Sequence, residues 1–213
     1  MRQILVISAI IAVIQTSSAQ IIRSYCIKAG AVLAGQHWDY SPSSPLAGID
    51  IADQMRWGLD VGCFIEWLDT PTFTLITEAH YLQRGFREEL PATSPASPDG
   101  IGTQVLTPRL DYLSIPLLMK ARIDFASVSP YLLSGPRYDV LLSKNPDGYD
   151  LVIDQIKDYD WGLAFGAGIV YDLSPCFDVG AEFRYDLSFQ DIYKTNILTV
   201  RNHSMQFKAY IAF

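Results

Sequence analysis

The sequence predicts an all-β fold, an eight-stranded antiparallel up-and-down transmembrane β-barrel, on three observations. Apolar and polar residues alternate along one segment after another. The connections between these segments are long and short in turn. No later stretch reaches the ~18 uninterrupted apolar residues of a membrane helix, although 49% of the chain is hydrophobic.

The first element is not part of the barrel. Met1 and Arg2 form a short positive start, an apolar run from Ile4 to Ile14 is broken only by Ser8, and Ser17-Ser18-Ala19 precede Gln20. This is the pattern of a secretory signal peptide over residues 1–19, with cleavage after Ala19 and a barrel domain over 20–213. An apolar run of about eleven residues is too short to cross a bilayer that takes ~20 helical residues.

Eight strands follow. Tyr25–Leu33 opens the set. In Arg56–Leu68, Trp57, Leu59, Val61, Cys63, Ile65 and Trp67 oppose Arg56, Asp60 and Glu66. Phe73–Arg84 sets Phe73, Leu75, Ala79 and Tyr81 against Glu78, His80 and Arg84, and Tyr112–Arg122 sets Leu113, Ile115, Leu117 and Met119 against Ser114, Lys120 and Arg122. Pro130–Asp139 is the fifth. The clearest are Asp160–Asp172, Phe177–Phe189 and the C-terminal segment ending at Phe213, in which every second residue is apolar. A period of two means strands, because successive side chains point to opposite faces. Long polar segments at 36–54, 86–107, 140–157 and 190–202 alternate with short turns near 69–71, 124–127 and 174–175. Long loops on one rim and tight turns on the other are the pattern of outer-membrane barrels.

Which face meets lipid follows from size. Trp161, Phe165, Tyr171, Phe177, Phe183, Tyr185 and Phe189 share the apolar parity, and an eight-stranded interior is barely wide enough for ordinary side chains. The opposite parity carries Gly162, Gly166, Gly168 and Gly180, which suit a crowded tube. Ten residues at ~3.3 Å each, tilted ~40°, span about 25 Å of bilayer, the usual apolar band with aromatics at its edges. The lumen would then hold Lys28, Arg56, Arg84, Lys120, Arg122, Arg137, Arg184 and Lys208 against Asp60, Glu66, Glu78, Asp139, Asp160, Asp172, Asp178, Glu182 and Asp186. Near balance of sign favours a self-satisfied plug over a water-filled channel, since unpaired charges in so narrow a space are costly.

Chemistry is sparse. The acidic balance, 23 Asp and Glu against 16 Lys and Arg, argues against nucleic acid. Cys26, Cys63 and Cys176 are odd in number and far apart, neither a disulfide framework nor a metal pair, and read as buried or strand-face thiols. His37, His80 and His203 read as loop or girdle residues; His203-Ser204 near Asp191 matches no triad spacing. Asn145 to Asp150 places oxygens around Gly148, but no closing glutamate follows, so a solvated acidic loop is expected in place of a calcium site. Pro91 to Gly100 reads as a mobile surface loop, and no glycine-rich phosphate motif leads a strand into a helix. No cofactor, metal or catalytic residue is expected.

Tyr112-Leu113-Ser114-Ile115-Pro116-Leu117-Leu118-Met119-Lys120 resembles the Tyr-Leu-x-Ile-Pro-Leu-Leu-x-Lys strand of the PorT-like outer-membrane β-barrel family. Pro130 to Pro136 followed by Val140-Leu141-Leu142, Ile27 to Gly30, and Ala79 to Gly85 are similar to its next, opening and third strands. Ser114 stands where an acidic residue is common, and Pro116 is unusual inside a central strand. The resemblance implies an integral outer-membrane protein; a role in secretion machinery belongs to only some members. Phe213, after Ile211, Ala209 and Phe207, resembles the C-terminal signal read by the barrel-assembly machinery. The expectation is therefore a non-enzymatic barrel in outer-membrane lipid of a Gram-negative envelope, its long loops meeting an extracellular or periplasmic partner. The alternatives are a narrow porin-like channel for small solutes or ions, a loop-borne lipid or peptide hydrolase, and a soluble lipocalin-like binding barrel.

Overall fold

The computed structural model describes residues 22–40, 54–67, 72–94, 97–174, 176–194 and 198–213. The expected signal peptide lies outside the described residues. Among the described residues there are ten strands and one helical turn: β1 (Ile22–Tyr40), β2 (Arg56–Trp67), β3 (Phe73–Gly85), β4 (Glu88–Ser94), β5 (Ser97–Leu106), β6 (Arg109–Arg122), β7 (Val128–Asn145), α1 (Asp150–Ile153), β8 (Tyr159–Ser174), β9 (Phe177–Ser188) and β10 (Leu198–Ala212). Eight of them close a barrel in the order β1-β10-β9-β8-β7-β6-β3-β2, every neighbour antiparallel. Among the described residues no helix is long and apolar enough to cross a membrane.

The seam joins the first strand to the last. Cys26 pairs with Ala212 and the ladder runs on to Tyr40 and Leu198, while Tyr25 and Phe213 exchange backbone hydrogen bonds of 3.0 and 2.8 Å. Closure removes the free edges that would otherwise leave backbone donors unpaired in hydrocarbon.

Parity along each strand assigns the faces as expected. Ile27, Trp57, Leu132, Ile169, Phe183 and Phe207 are exposed on the outer wall, whereas Lys28, Asp60, Leu133, Val170, Glu182 and Lys208 are buried inside. Tyr138 stacks beside Tyr159 and Trp161 meets Phe189 edge to face, forming part of the aromatic girdle on the loop side.

The strand ends differ from expectation. β1 continues to Tyr40, β7 to Asn145, and β10 begins at Leu198, so the barrel wall rises into segments 36–54, 140–157 and 190–202. The reason is visible in β1, where Ala34, Gln36 and Trp38 keep facing inward and stay buried past the apolar band. The segment 86–107 is mainly a two-stranded hairpin, β4 with β5, paired from Glu88 and Leu106 onward. Pro116 has a local explanation: it has no N–H to donate, and the ladder between β3 and β6 lapses between the pairs Thr77–Leu117 and His80–Ser114.

Candidate functional site

The lumen is where the sequence places its charges, and it is built in layers from the turn rim to the loop rim. Near the turns, Cys26, Phe64, Ile76, Leu118, Tyr131, Leu133 and Tyr210 form an apolar cluster inside the tube. The rings of Tyr131 and Tyr210 fit inside because glycines on neighbouring strands leave them room: a Cβ on Gly180 would stand 2.1 Å from Tyr210 Cζ, and one on Gly168 2.4 Å from Tyr131 Cζ. Buried ammonium groups use these rings as partners, with Lys28 Nζ 4.4 Å from the Phe64 centroid and Lys120 Nζ 4.5 Å from that of Tyr131. Lys120 also donates to Glu66 at 2.6 Å.

The middle layer crosses the barrel. Glu78 on β3 accepts from Lys28 of β1 at 3.0 Å and from both terminal nitrogens of Arg184 on β9 at 2.6 and 2.9 Å. Glu182 faces the same two cations, 3.0 Å from Lys28 Nζ and 2.6 Å from Arg184 Nη2, and accepts from the Tyr131 hydroxyl at 3.0 Å. His80 bridges the layer: Nε2 lies 2.9 Å from Glu78 Oε2 and Nδ1 2.6 Å from Asp60 Oδ1, while Lys208 holds the other Asp60 oxygen at 2.9 Å. Bidentate Arg–carboxylate geometry is the strongest form of such a contact.

Above it, Arg84 and Arg137 share three aspartates. Arg84 donates to Asp139 and, at 2.8 Å, to Asp186, and lies 3.6 Å from Asp160. Arg137 pairs with Asp139 and donates at 2.6 Å to Ser188, which passes the bond to Asp160 at 2.6 Å. Gln206 donates to Asp186 at 2.6 Å and Asn202 to Asp160 at 3.1 Å. The pocket bounded by Asp60, His80, Arg137, Arg184, Asp186 and Lys208 has no room for a water-sized sphere, a volume of about 0 Å³.

The loop rim carries a second apolar cluster. Trp38, Phe86, Leu110, Tyr112, Ile153, Ile156, Ile192, Leu198 and Val200 pack together across the mouth. Phe86 meets Trp38 and Tyr149 edge to face, with centroids 5.3 Å away in each case. The Tyr149 hydroxyl donates to Glu88; burial and this acceptor raise its pKa above the ordinary phenol value. The acidic segment is therefore tethered as well as solvated: Ile153 and Ile156 are fully buried, and Asp147 accepts from Thr107 N and Oγ1 at 2.7 and 3.1 Å. Among the described residues no group of three or more His, Cys, Asp or Glu could hold a metal ion.

Of the charges expected in the lumen, Lys28, Asp60, Glu66, Glu78, Arg84, Lys120, Arg137, Asp139, Asp160, Glu182, Arg184, Asp186 and Lys208 are buried there. Arg56 and Arg122 are only half-buried, at opposite rims, with Arg122 Nε 2.8 Å from Asp124. Asp172 is exposed and Asp178 half-buried, paired with each other at the end of the β8–β9 ladder. Strand ends leave the crowded tube, so these side chains reach water. His80 is the charged-network residue that sequence reasoning set aside; its position between Glu78 and Arg84 on the inward parity of β3 was the available signal. Cys26 is buried, whereas Cys63 and Cys176 are exposed.

Comparison with known proteins places this geometry. The chain resembles the outer membrane protein AlkL (16% identity, 93% of this chain and 94% of that one, TM-score 0.49) and OprG from Pseudomonas aeruginosa (12%, 89% and 95%, TM-score 0.48). It also resembles the outer membrane protease OmpT from Escherichia coli (8%, 94% and 99%, TM-score 0.47). No curated protein matches the chain. The family model described as outer membrane protein beta-barrel domain matches residues 39–194, and with the closed eight-stranded barrel already in view the chain belongs to that outer-membrane family.

Proposed function

We propose that this protein is a non-enzymatic outer-membrane barrel with a sealed lumen, a rigid peg that holds its loop-side cap and the β4–β5 hairpin at the cell surface to meet an envelope component or partner. One observation supports the reading: two layers of side chains cross the tube, the lattice around Glu78 and Arg184 and the apolar cluster around Trp38 and Phe86. Each histidine is also engaged away from a hydrolytic arrangement. His80 is locked between Asp60 and Glu78, His37 pairs with Asp39 at 3.1 Å on the outer wall, and the His203 ring packs over Gly35. Export through a signal peptide at 1–19, insertion by the barrel-assembly machinery through Phe213, and the narrower PorT-like membership belong to the same proposal, supported by the sequence patterns that suggest them.

Planar-bilayer recording tests it. Refolded wild-type protein is expected to give a silent bilayer, and reproducible single-channel steps would sink the sealed-lumen reading. A second reading, a narrow cation-preferring pore, draws on the loop-side layer, where Asp139, Asp160 and Asp186 outnumber Arg84 and Arg137. It requires steps in the wild type whose selectivity falls in Asp160→Asn.

A further inference from the structure

His80 lies on the inward parity of β3, 2% exposed. Its ring is wedged against β2, where a Cβ on its cross-strand partner Gly62 would stand 2.7 Å from His80 Cγ. Both ring nitrogens meet carboxylates: Nδ1 is 2.6 Å from Asp60 Oδ1 and Nε2 is 2.9 Å from Glu78 Oε2. A neutral imidazole offers one N–H and one lone pair, whereas an ionised carboxylate only accepts. Two such contacts at hydrogen-bond distance need either a proton on each nitrogen or a proton on one of the acids.

The surroundings decide between the two. Glu78 already accepts from Lys28 of β1 and from both terminal nitrogens of Arg184 on β9, and with His80 these bonds fill the lone pairs of an ionised carboxylate. Lys208 of β10 stands 2.9 Å from the second Asp60 oxygen. A protonated acid would give up part of these charge-assisted contacts, so the proton belongs on the imidazole. The charge balance agrees. Among the described residues the lumen buries seven carboxylates, from Glu66 near the turns to Asp160 near the loops, against six lysine and arginine side chains. Asp111 stays outside this balance, paired with Arg109 at 3.2 Å at the loop rim. The excess lies in the loop-side layer of Asp139, Asp160 and Asp186, and His80 shares a recess with Asp186, Arg137 of β7 and Ser114 of β6. An uncompensated charge in so narrow a tube is costly. A doubly protonated His80 supplies the missing one.

We infer that His80 is an imidazolium, the seventh cation of the lumen, and that it is a pH-sensitive latch between β2 and β3. Lysine and arginine keep their charge around neutrality; of the seven cations histidine alone can lose it there. Once it does, a ring lone pair faces Asp60 or Glu78, one hydrogen bond is lost and the tube is left with an unmatched negative charge. The stability that the latch adds is therefore present while the second proton is held and is lost as pH rises through its release. This holds whether or not the lumen conducts.

The test reads the protons directly. The chain has three histidines, so a His37→Gln, His203→Gln protein labelled with 15N-histidine and refolded into phospholipid vesicles reports His80 alone. In a solid-state 15N–1H correlation at about pH 7.5, both ring nitrogens are expected to show a directly bonded hydrogen. One protonated and one bare nitrogen would overturn the inference. As pH is raised further, the midpoint of urea unfolding is expected to fall over the interval in which the second N–H signal disappears, and His80→Gln is expected to lack that step. A step of the same size in His80→Gln, or none in the parent protein, would overturn the latch; where His80→Gln does not fold, the spectrum and the parent's own pH profile decide.

Discussion

Substituting Glu78 by Gln removes one charge from the middle of the tube and leaves the shape almost unchanged. In the wild type its two oxygens accept from Lys28 at 3.0 Å and from Arg184 at 2.6 and 2.9 Å, with His80 Nε2 at 2.9 Å, and the side chain is buried. Charge-assisted hydrogen bonds contribute about 1.5–3 kcal/mol each, so a simple sum would overshoot. Lys28 and Arg184 would then share the single carboxylate of Glu182, at 3.0 and 2.6 Å, which leaves one buried positive charge uncompensated. The loss expected is therefore about 3–5 kcal/mol, the range for breaking one buried pair. The assay is urea unfolding in phospholipid vesicles, followed by tryptophan emission, with Arg184→Met and the double variant completing a cycle. Groups in direct contact should couple, so the double variant is expected to lose about 1–3 kcal/mol less than the two single losses added. A Glu78→Gln loss below about 0.5 kcal/mol together with an additive cycle would refute the lattice as a source of stability.

The faces of the wall predict a depth gradient: Phe183→Arg in the apolar band is expected to cost about 2–4 kcal/mol and Leu142→Arg, beyond the girdle at Tyr138, about 0–1, and equal costs in the same urea assay would contradict the assigned membrane position. Gly180→Ala places a methyl carbon into the Tyr210 ring and should cost about 1–3 kcal/mol by overpacking, but little in a Tyr210→Ala background, as measured by paired unfolding curves. The cap should loosen in alkali. The Tyr149 pKa is raised in the folded state, so its contribution is complete below the ordinary phenol value of about 10 and is lost as pH rises from there through the folded value. Trp38, whose ring centroid lies 6.5 Å from that of Tyr149, should report this as a shift in emission above pH ~10 that Tyr149→Phe removes.

The wall was legible in the sequence because parity is a local property. Phe177 to Phe189 needs only its own residues to show which side faces hydrocarbon, and Glu182 and Arg184 follow as lumen groups. Pairing was not legible. Lys28 meets Glu182, and Arg84 meets Asp186, across strands whose stagger comes from barrel tilt, which no segment encodes alone. The room for the inward rings of Tyr131 and Tyr210 was not legible for a related reason: it is made by Gly168 and Gly180 on other strands. The cap escaped notice because Ile153, Ile156 and Ile192 are scattered singly through polar loops, without a period to reveal a shared core. Residues 88–106 contain Pro91 and Gly102 and looked like loop, yet alternate Ile101, Thr103 and Val105 along a hairpin strand.

The lattice has a consequence for how such a chain can enter a bilayer. Its partners sit on hairpins far apart in the chain: Lys28 is answered by β3 and β9, and Arg184 on β9 by Glu78 on β3. A single hairpin pushed into lipid could not reproduce these contacts, and the one that carries Lys28 would arrive without Glu78 or Glu182. Stepwise threading of one hairpin after another is thus disfavoured by the same groups that later rivet the tube. Insertion and sealing of the β1–β10 seam have to proceed as one event, with the charges sheltered until all eight staves are in place.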